Sequence, residues 1–260
     1  MMSLVRAEWR VLTKRSAARG LLIVSAVIPV LVTLILGLTS GSDMEFNGQP
    51  IREVFSFSGP HAAALSLRAR HALFLPMFIL FVTGSSVAGE RANHMLRERL
   101  VRPISRDALL FAKMGSLLAL CAISLLINAV VSLSLGTIWM GTEGPWVAMA
   151  TGHVVSLFTD LSLITLGFFL STIFRSGAMV VVSGLLFFLF DQAINAGLFM
   201  LGFAGVEDAK VYQAFLPSTG WNAWTVMLGE GLWIAALNWA FWMIALLFFA
   251  RRRLLEMDVP

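Results

Sequence analysis

Apolar residues do not alternate with polar ones along this chain; they run in long blocks. Six blocks cover residues 20–39, 71–88, 115–139, 145–174, 177–204 and 231–250, and short charged segments separate them. A block of about 20 apolar residues, rising about 1.5 Å per residue as a helix, crosses a hydrocarbon layer of about 30 Å. Hydrocarbon offers no partner to a backbone amide or carbonyl, so each block must satisfy its own backbone as an α-helix. The pattern predicts an all-α integral membrane protein with six transmembrane helices. Six spans consume most of the 260 residues, which predicts one membrane domain over 1–260 and no second folded domain.

The intervening segments have characters of their own. In residues 1–19, Arg6, Arg10 and Lys14 recur every four residues, while Leu4, Val5, Trp9 and Leu12 gather on another face. Glu8 and Arg15 interrupt the apolar arc, but the spacing still predicts a helix lying at the interface, anchored by Trp9. Residues 41–60 are polar and turn-rich. Residues 61–70 suit a short helix at the outer interface. Residues 89–113 are the most charged. Their first part, 90–100, has good helix formers, Pro103 ends it, and Ser105 can cap the next helix with Asp107 in its first turn. In residues 205–230 the apolar pieces 211–216 and 221–228 are too short to cross. They predict an interfacial or re-entrant helix pair broken at Leu216-Pro217, with Trp221 and Trp224 at headgroup level.

Composition sharpens the class. The chain is 58% hydrophobic and 13% charged, where a soluble domain carries about 25% charged residues. The net charge of +4 is a topology signal, not a nucleic-acid signal. Fifteen of the 19 Lys and Arg residues fall before the first span, between the second and third, between the fourth and fifth, or after the sixth; Arg52, Arg68, Arg70 and Lys210 fall on the other face. The basic face is the cytoplasmic one, which places both termini there. Cys121 stands alone, so no disulfide framework forms within one chain. The four histidines are scattered, and no metal site is expected from them. The chain has no G-x-x-x-x-G-K-[ST] phosphate loop, no G-x-S-x-G elbow and no H-E-x-x-H pair. It is read as non-catalytic, without a cofactor of its own.

One run is more specific. Ser85-Ser86-Val87-Ala88-Gly89-Glu90-Arg91 is followed by Leu100-Val101-Arg102-Pro103-Ile104-Ser105-Arg106 and Lys113. With the basic leader, the six spans and the run from Phe215 to Trp221, it resembles the type-2 permeases of ATP-binding-cassette (ABC) transporters. A narrower likeness is to permeases encoded with copper-enzyme maturation systems. The resemblance implies a multi-pass protein of the bacterial cytoplasmic (inner) membrane. It implies a second permease copy, identical or related, and two cytoplasmic ATPase subunits that bind the ATP and Mg. It makes residues 90–100 a coupling helix, with Glu90, Arg91, His94, Arg97 and Glu98 as ATPase-docking candidates. The chain departs from the family at Asn93-His94-Met95, where many members carry glutamate and then Gly-Thr.

Polar residues within the spans give candidates for a translocation path. A carboxylate at mid-membrane costs about 2.5–3.5 kcal/mol on insertion scales. Asp160 lies mid-way along the fourth span, on a stripe with His153, Ser156, Gly167 and Ser171. The third span carries Cys121, Ser124, Asn128 and Ser132; the fifth carries Gly184, Asp191 and Asn195. With Arg and Lys read as absent from the spans, no salt bridge is expected there, and the Asp160 stripe is expected to face the interior of a dimer. The reading is a permease subunit of an ATP-driven transporter, an exporter. The alternatives are a proton-coupled carrier or channel using Asp160 and Asp191, and a membrane scaffold recruiting partners through residues 90–113.

Overall fold

The computed structural model describes residues 2–40, 45–46, 49–50, 57–95, 105–206, 208–218 and 232–256. Apart from a two-residue antiparallel pairing of Glu45–Phe46 with Gln49–Pro50, the described elements are helical. Helix α1 (Met2–Leu12) is amphipathic and leads through a short turn into α2 (Ser16–Ser40). Helix α3 (Gly59–Ala69) continues through a π-helical turn, Arg70–Phe74, into α4 (Leu75–Ala92). Then follow α5 (Arg106–Met140), α6 (Trp146–Ile173), α7 (Gly177–Phe203), the short α8 (Asp208–Phe215) and α9 (Leu232–Glu256).

Five of these helices are long and apolar enough to cross a membrane: α2, α5, α6, α7 and α9. The block expected as the second span is built differently. Its helix does not begin at residue 71; it begins at Gly59 and runs through the π turn to Ala92. Pro76 explains the break. A proline has no amide to offer the carbonyl four residues back, and its ring crowds that carbonyl. The amide of Leu75 instead reaches back five residues, to the carbonyl of Arg70, which is the π pattern. Arg70 is consequently inside the bundle, 1% exposed, and not on the outer surface.

The ends of the elements follow local chemistry. The Ser105 hydroxyl accepts the Ala108 amide at 3.1 Å and caps α5, with Asp107 in the first turn. At the other end of α5, Gly141 (φ 85°) takes the left-handed conformation that stops the helix. Residues 96–104, the rest of the expected coupling helix, lie outside the described residues, as do residues 219–231 of the expected re-entrant segment.

The apolar core joins Leu21 of α2, Ile79 and Leu80 of α4, Leu117 and Leu120 of α5, and Leu163, Ile164 and Phe168 of α6. Large apolar side chains also face outward, such as Ile35 and Leu38 on α2, Phe190 and Phe203 on α7, and Leu237 and Phe241 on α9. A membrane helix has this two-sided apolarity, since lipid solvates what a soluble protein must bury. Small residues set the closest approaches. Gly136 of α5 meets the backbone of Gly59, and Gly167 of α6 lies directly on Thr83 of α4.

A methyl group at residue 167 would overlap the Thr83 side chain, which its hydroxyl holds to the carbonyls of Ile79 and Leu80. Gly167→Ala is expected to cost about 1–3 kcal/mol by overpacking, read as a lower melting temperature of the purified chain in detergent. Thr83→Ala in the same chain should recover part of the loss.

Candidate functional site

Among the described residues, three polar clusters lie inside the bundle, at different depths. The first is at the end of the bundle that holds α1 and the last turn of α4. Glu90 ends α4 and is 1% exposed. Lys113 of α5 donates to both of its carboxylate oxygens, at 3.0 and 2.9 Å, and to Glu8 of α1 at 3.0 Å. Arg15, in the turn after α1, donates to Glu90 at 2.9 Å and to the Ser85 hydroxyl at 2.8 Å. Among the described residues, two carboxylates meet two cations there. It fastens α1, α4 and α5 at one point. The charged residue that broke the amphipathic pattern of α1, Glu8, is thus the residue that turns α1 onto the bundle.

This geometry changes the place of the docking candidates. Glu90 and Arg91 are the last turn of α4, not the start of a separate cytoplasmic helix. Glu90 is turned inward and held by Lys113 and Arg15. Arg91 is half-buried; partial burial and then the charge of Arg175 push its guanidinium below its ordinary range. His94 is exposed in the turn that follows, with φ 59°. Arg97 and Glu98 lie outside the described residues.

The second cluster is at mid-depth. Asp160 of α6 is 0% exposed. Arg70 donates to its two oxygens at 2.9 and 3.4 Å and to the Ser124 hydroxyl of α5 at 3.2 Å. Ser124 in turn is 2.6 Å from the Ser25 hydroxyl of α2. The His71 Nδ1 lies 2.9 Å from the Leu67 carbonyl and so carries the proton; its Nε2 is 3.2 Å from Asp160. An ion pair therefore does exist within the spans, contrary to the expectation from sequence. That expectation began the second span at residue 71, although the helix runs through from Gly59, and so left Arg70 outside it. The stripe through Asp160 also does not face a dimer interior. His153, Ser156, Asp160 and Ser171 are buried within this one chain, with Gly167 packed on α4.

The remaining path candidates are dispersed. The Ser156 hydroxyl donates back to the His153 carbonyl at 2.8 Å, and the His153 Nδ1 is 2.9 Å from the Met149 carbonyl. Asn128 of α5 donates to the Ser66 hydroxyl of α3 at 2.9 Å. The third cluster, in the second half of α7, gathers Asp191 and Asn195. Asp191 lies beside Ser218, Asn195 donates to the Ser218 hydroxyl at 2.6 Å, and Gln213 of α8 donates to Asn195 at 2.7 Å. Asp160 and Asp191 thus belong to separate clusters. Sequence reasoning named one member of the central ion pair and missed its partner. The available signal was Arg70-His71 directly before an apolar block, in a chain whose mid-membrane aspartate needed a cation.

A family model for the ABC-2 family transporter protein matches residues 4–191. That stretch holds α1 to most of α7 and both ion clusters, and the chain belongs to the ABC-2 transporter family. It is a multi-pass membrane protein of a transport family. The match is to the family as a whole and not to the copper-enzyme-maturation type. Among curated proteins, none matches the chain.

Buried ion pairs are costly to break singly, because one charge is left without its counter-ion, by about 3–5 kcal/mol. Asp160→Leu should therefore destabilise the chain strongly, with a large fall in melting temperature in detergent. The paired change Arg70→Met with Asp160→Leu should return most of the stability. The same comparison for Lys113→Met against Lys113→Met with Glu90→Gln should show partial recovery, since the bond from Lys113 to Glu8 is lost in both.

Proposed function

We propose that this chain is the permease subunit of an ATP-driven ABC exporter, working with a separate cytoplasmic ATPase and a second permease copy. The family match over residues 4–191 carries the reading. Two ATPase subunits would bind ATP and Mg and approach each other on binding. The chain's own contribution is to receive that motion and open a path across the membrane.

The cytoplasmic ion cluster supports this division of work. The segment that would dock the ATPase, residues 91–104, is bounded by the end of α4 and the start of α5. Glu90 and Lys113 lie within a few turns of those ends and bond to each other directly. A push on the segment is therefore delivered to two spans and, through Glu8 and Arg15, to α1 as well. Exposed His94 and half-buried Arg91, with Arg97 and Glu98 beyond them, are the proposed docking residues. Glu90 is proposed as the post that anchors them. The cluster at Asp191 and Asn195, and His153, Ser156, Asn128 and Asp160, remain the proposed polar contacts of the moving bundle. The basic asymmetry of the sequence supports cytoplasmic termini in a bacterial inner membrane.

The purified chain alone is expected to hydrolyse no ATP. Co-expressed with its ATPase, it should yield a complex of two permeases and two ATPases. Reversing Arg97 and Glu98 together should weaken that assembly or uncouple turnover from transport, without affecting membrane insertion. Robust ATP turnover by the isolated chain would overturn the reading. A cysteine placed at Asp208 should label from outside intact cells and one at His94 should not. External labelling at His94 would invert the topology.

A further inference from the structure

The helix formed by α3, the π turn and α4 changes neighbours at its middle. Its outer half, α3, packs mainly on α5 and α2, while its inner half, α4, packs mainly on α6 and α7. The close contacts show the same switch. Gly59 sits on Thr137 of α5, and the Asn128 side chain of α5 reaches Ser66. Beyond the π turn, Thr83 sits on Gly167 of α6, Gly84 on Val180 of α7, and Leu80 on Gly184 of α7. By their main packing partners the helices fall into two groups: α1, α2, α3 and α5 on one side, α4, α6, α7 and α9 on the other, with α6 packed closely on α9; α5 also packs on α6, and the apolar core spans both groups. The π turn is where the chain passes from one group to the other without ending a helix.

Among the described residues, three charged ties join the groups. At mid-depth, Arg70 holds Asp160 of α6, and its own position is fixed by Ser124 of α5. At the end of α4, Glu90 is held by Lys113 of α5 and by Arg15. The third, Arg251 of α9 with Asp107 of α5, is exposed. Both side chains of the central pair are at most 1% exposed, and Glu90 and Lys113 are 1% and 3% exposed. Separating charges in a dry interior is far costlier than separating them where water can replace the partner. The central pair is the fixed point about which the groups can turn.

We infer that the π turn Arg70–Phe74 is a hinge between two helix groups, with Arg70–Asp160 as its pin. A π turn already has a backbone hydrogen-bond pattern that differs from its flanks, and Pro76 withholds the amide that would restore the α-helical one. Bending there lets α4 travel with α6 and α7 while α3 stays on α5. Only the source of the driving force rests on the proposed ATP-coupled function.

Two measurements on the full chain test this hinge. The first needs no partner. In lipid nanodiscs, amides of residues 70–75 should exchange hydrogen faster than those of residues 62–67 and 79–84. Pro76→Ala supplies the missing amide and should slow them about tenfold while leaving the flanks unchanged. Uniform exchange along the helix, or no effect of Pro76→Ala, would overturn the hinge. The second uses cysteine pairs in a Cys121→Ser chain, bridged by one short reducible bis-thiosulfonate linker. The pairs are Gly59→Cys with Thr137→Cys inside the first group, Gly84→Cys with Val180→Cys inside the second, and Gly20→Cys with Phe78→Cys across them. In the complex with the ATPase, the link across the groups should lower transport about tenfold and reductant should restore it, while the links within groups leave transport within about twofold. Equal tolerance of all three links, or equal loss, would overturn the hinge. A wild-type complex with no ATP-driven transport would overturn the proposed function, and the hinge would then stand or fall on hydrogen exchange alone.

Discussion

Charge placed in hydrocarbon has to be cancelled inside the protein, and the architecture is organised around where that cancellation happens. Asp160 would be expensive alone on α6. It is matched by Arg70, ninety residues earlier, and the match requires the π turn, the Ser124 hydroxyl and the Ser25 hydroxyl to be in register. The four helices that supply these groups cannot slide past one another without separating an ion from its partner. The apolar core around Ile79, Leu120 and Ile164 adds packing to this arrangement, but lipid would solvate many of those side chains nearly as well. The polar contacts are what lipid cannot replace.

The cluster at Glu90 follows the same rule. Glu8, Arg15, Glu90 and Lys113 sum to zero charge, so burying these four leaves no net charge behind. Arg15 brings the cluster to the edge of the bundle, while Glu90 and Lys113 are nearly as dry as the central pair. One bundle thus has two points at which buried charge holds its helices together.

Much of this was legible in the sequence. The lengths of the apolar blocks gave α2, α5, α6, α7 and α9, because only helices satisfy a backbone in lipid. The four-residue spacing of Arg6, Arg10 and Lys14 gave α1, and Ser105 with Asp107 gave the start of α5. The second span was misplaced because hydropathy sees an interruption where the structure sees a continuous helix. Arg68 and Arg70 lower the local apolarity and so set the start of the block at residue 71, although the helix runs through them. The inward turn of Glu90 was hidden for a related reason. Its place in a run of charges read as solvated surface, and its cations, Lys113 and Arg15, are 23 and 75 residues away. Pairing between distant residues has no signature in local pattern. The family resemblance made Glu90 a docking candidate and gave no sign of the direction in which its carboxylate points.

The start of α5 and the end of α9 meet as well. Arg106 donates to the carbonyls of Leu254 and Leu255, and Arg251 forms a two-bond pair with Asp107. The last carbonyls of a helix have no partner within it, so α9 is finished by a residue made about a hundred and fifty positions earlier. A chain is synthesised from its N-terminus. Arg106 and Asp107 are therefore in place before the helix they clasp has been made, and this contact between α5 and α9 is among the last that the described bundle can acquire.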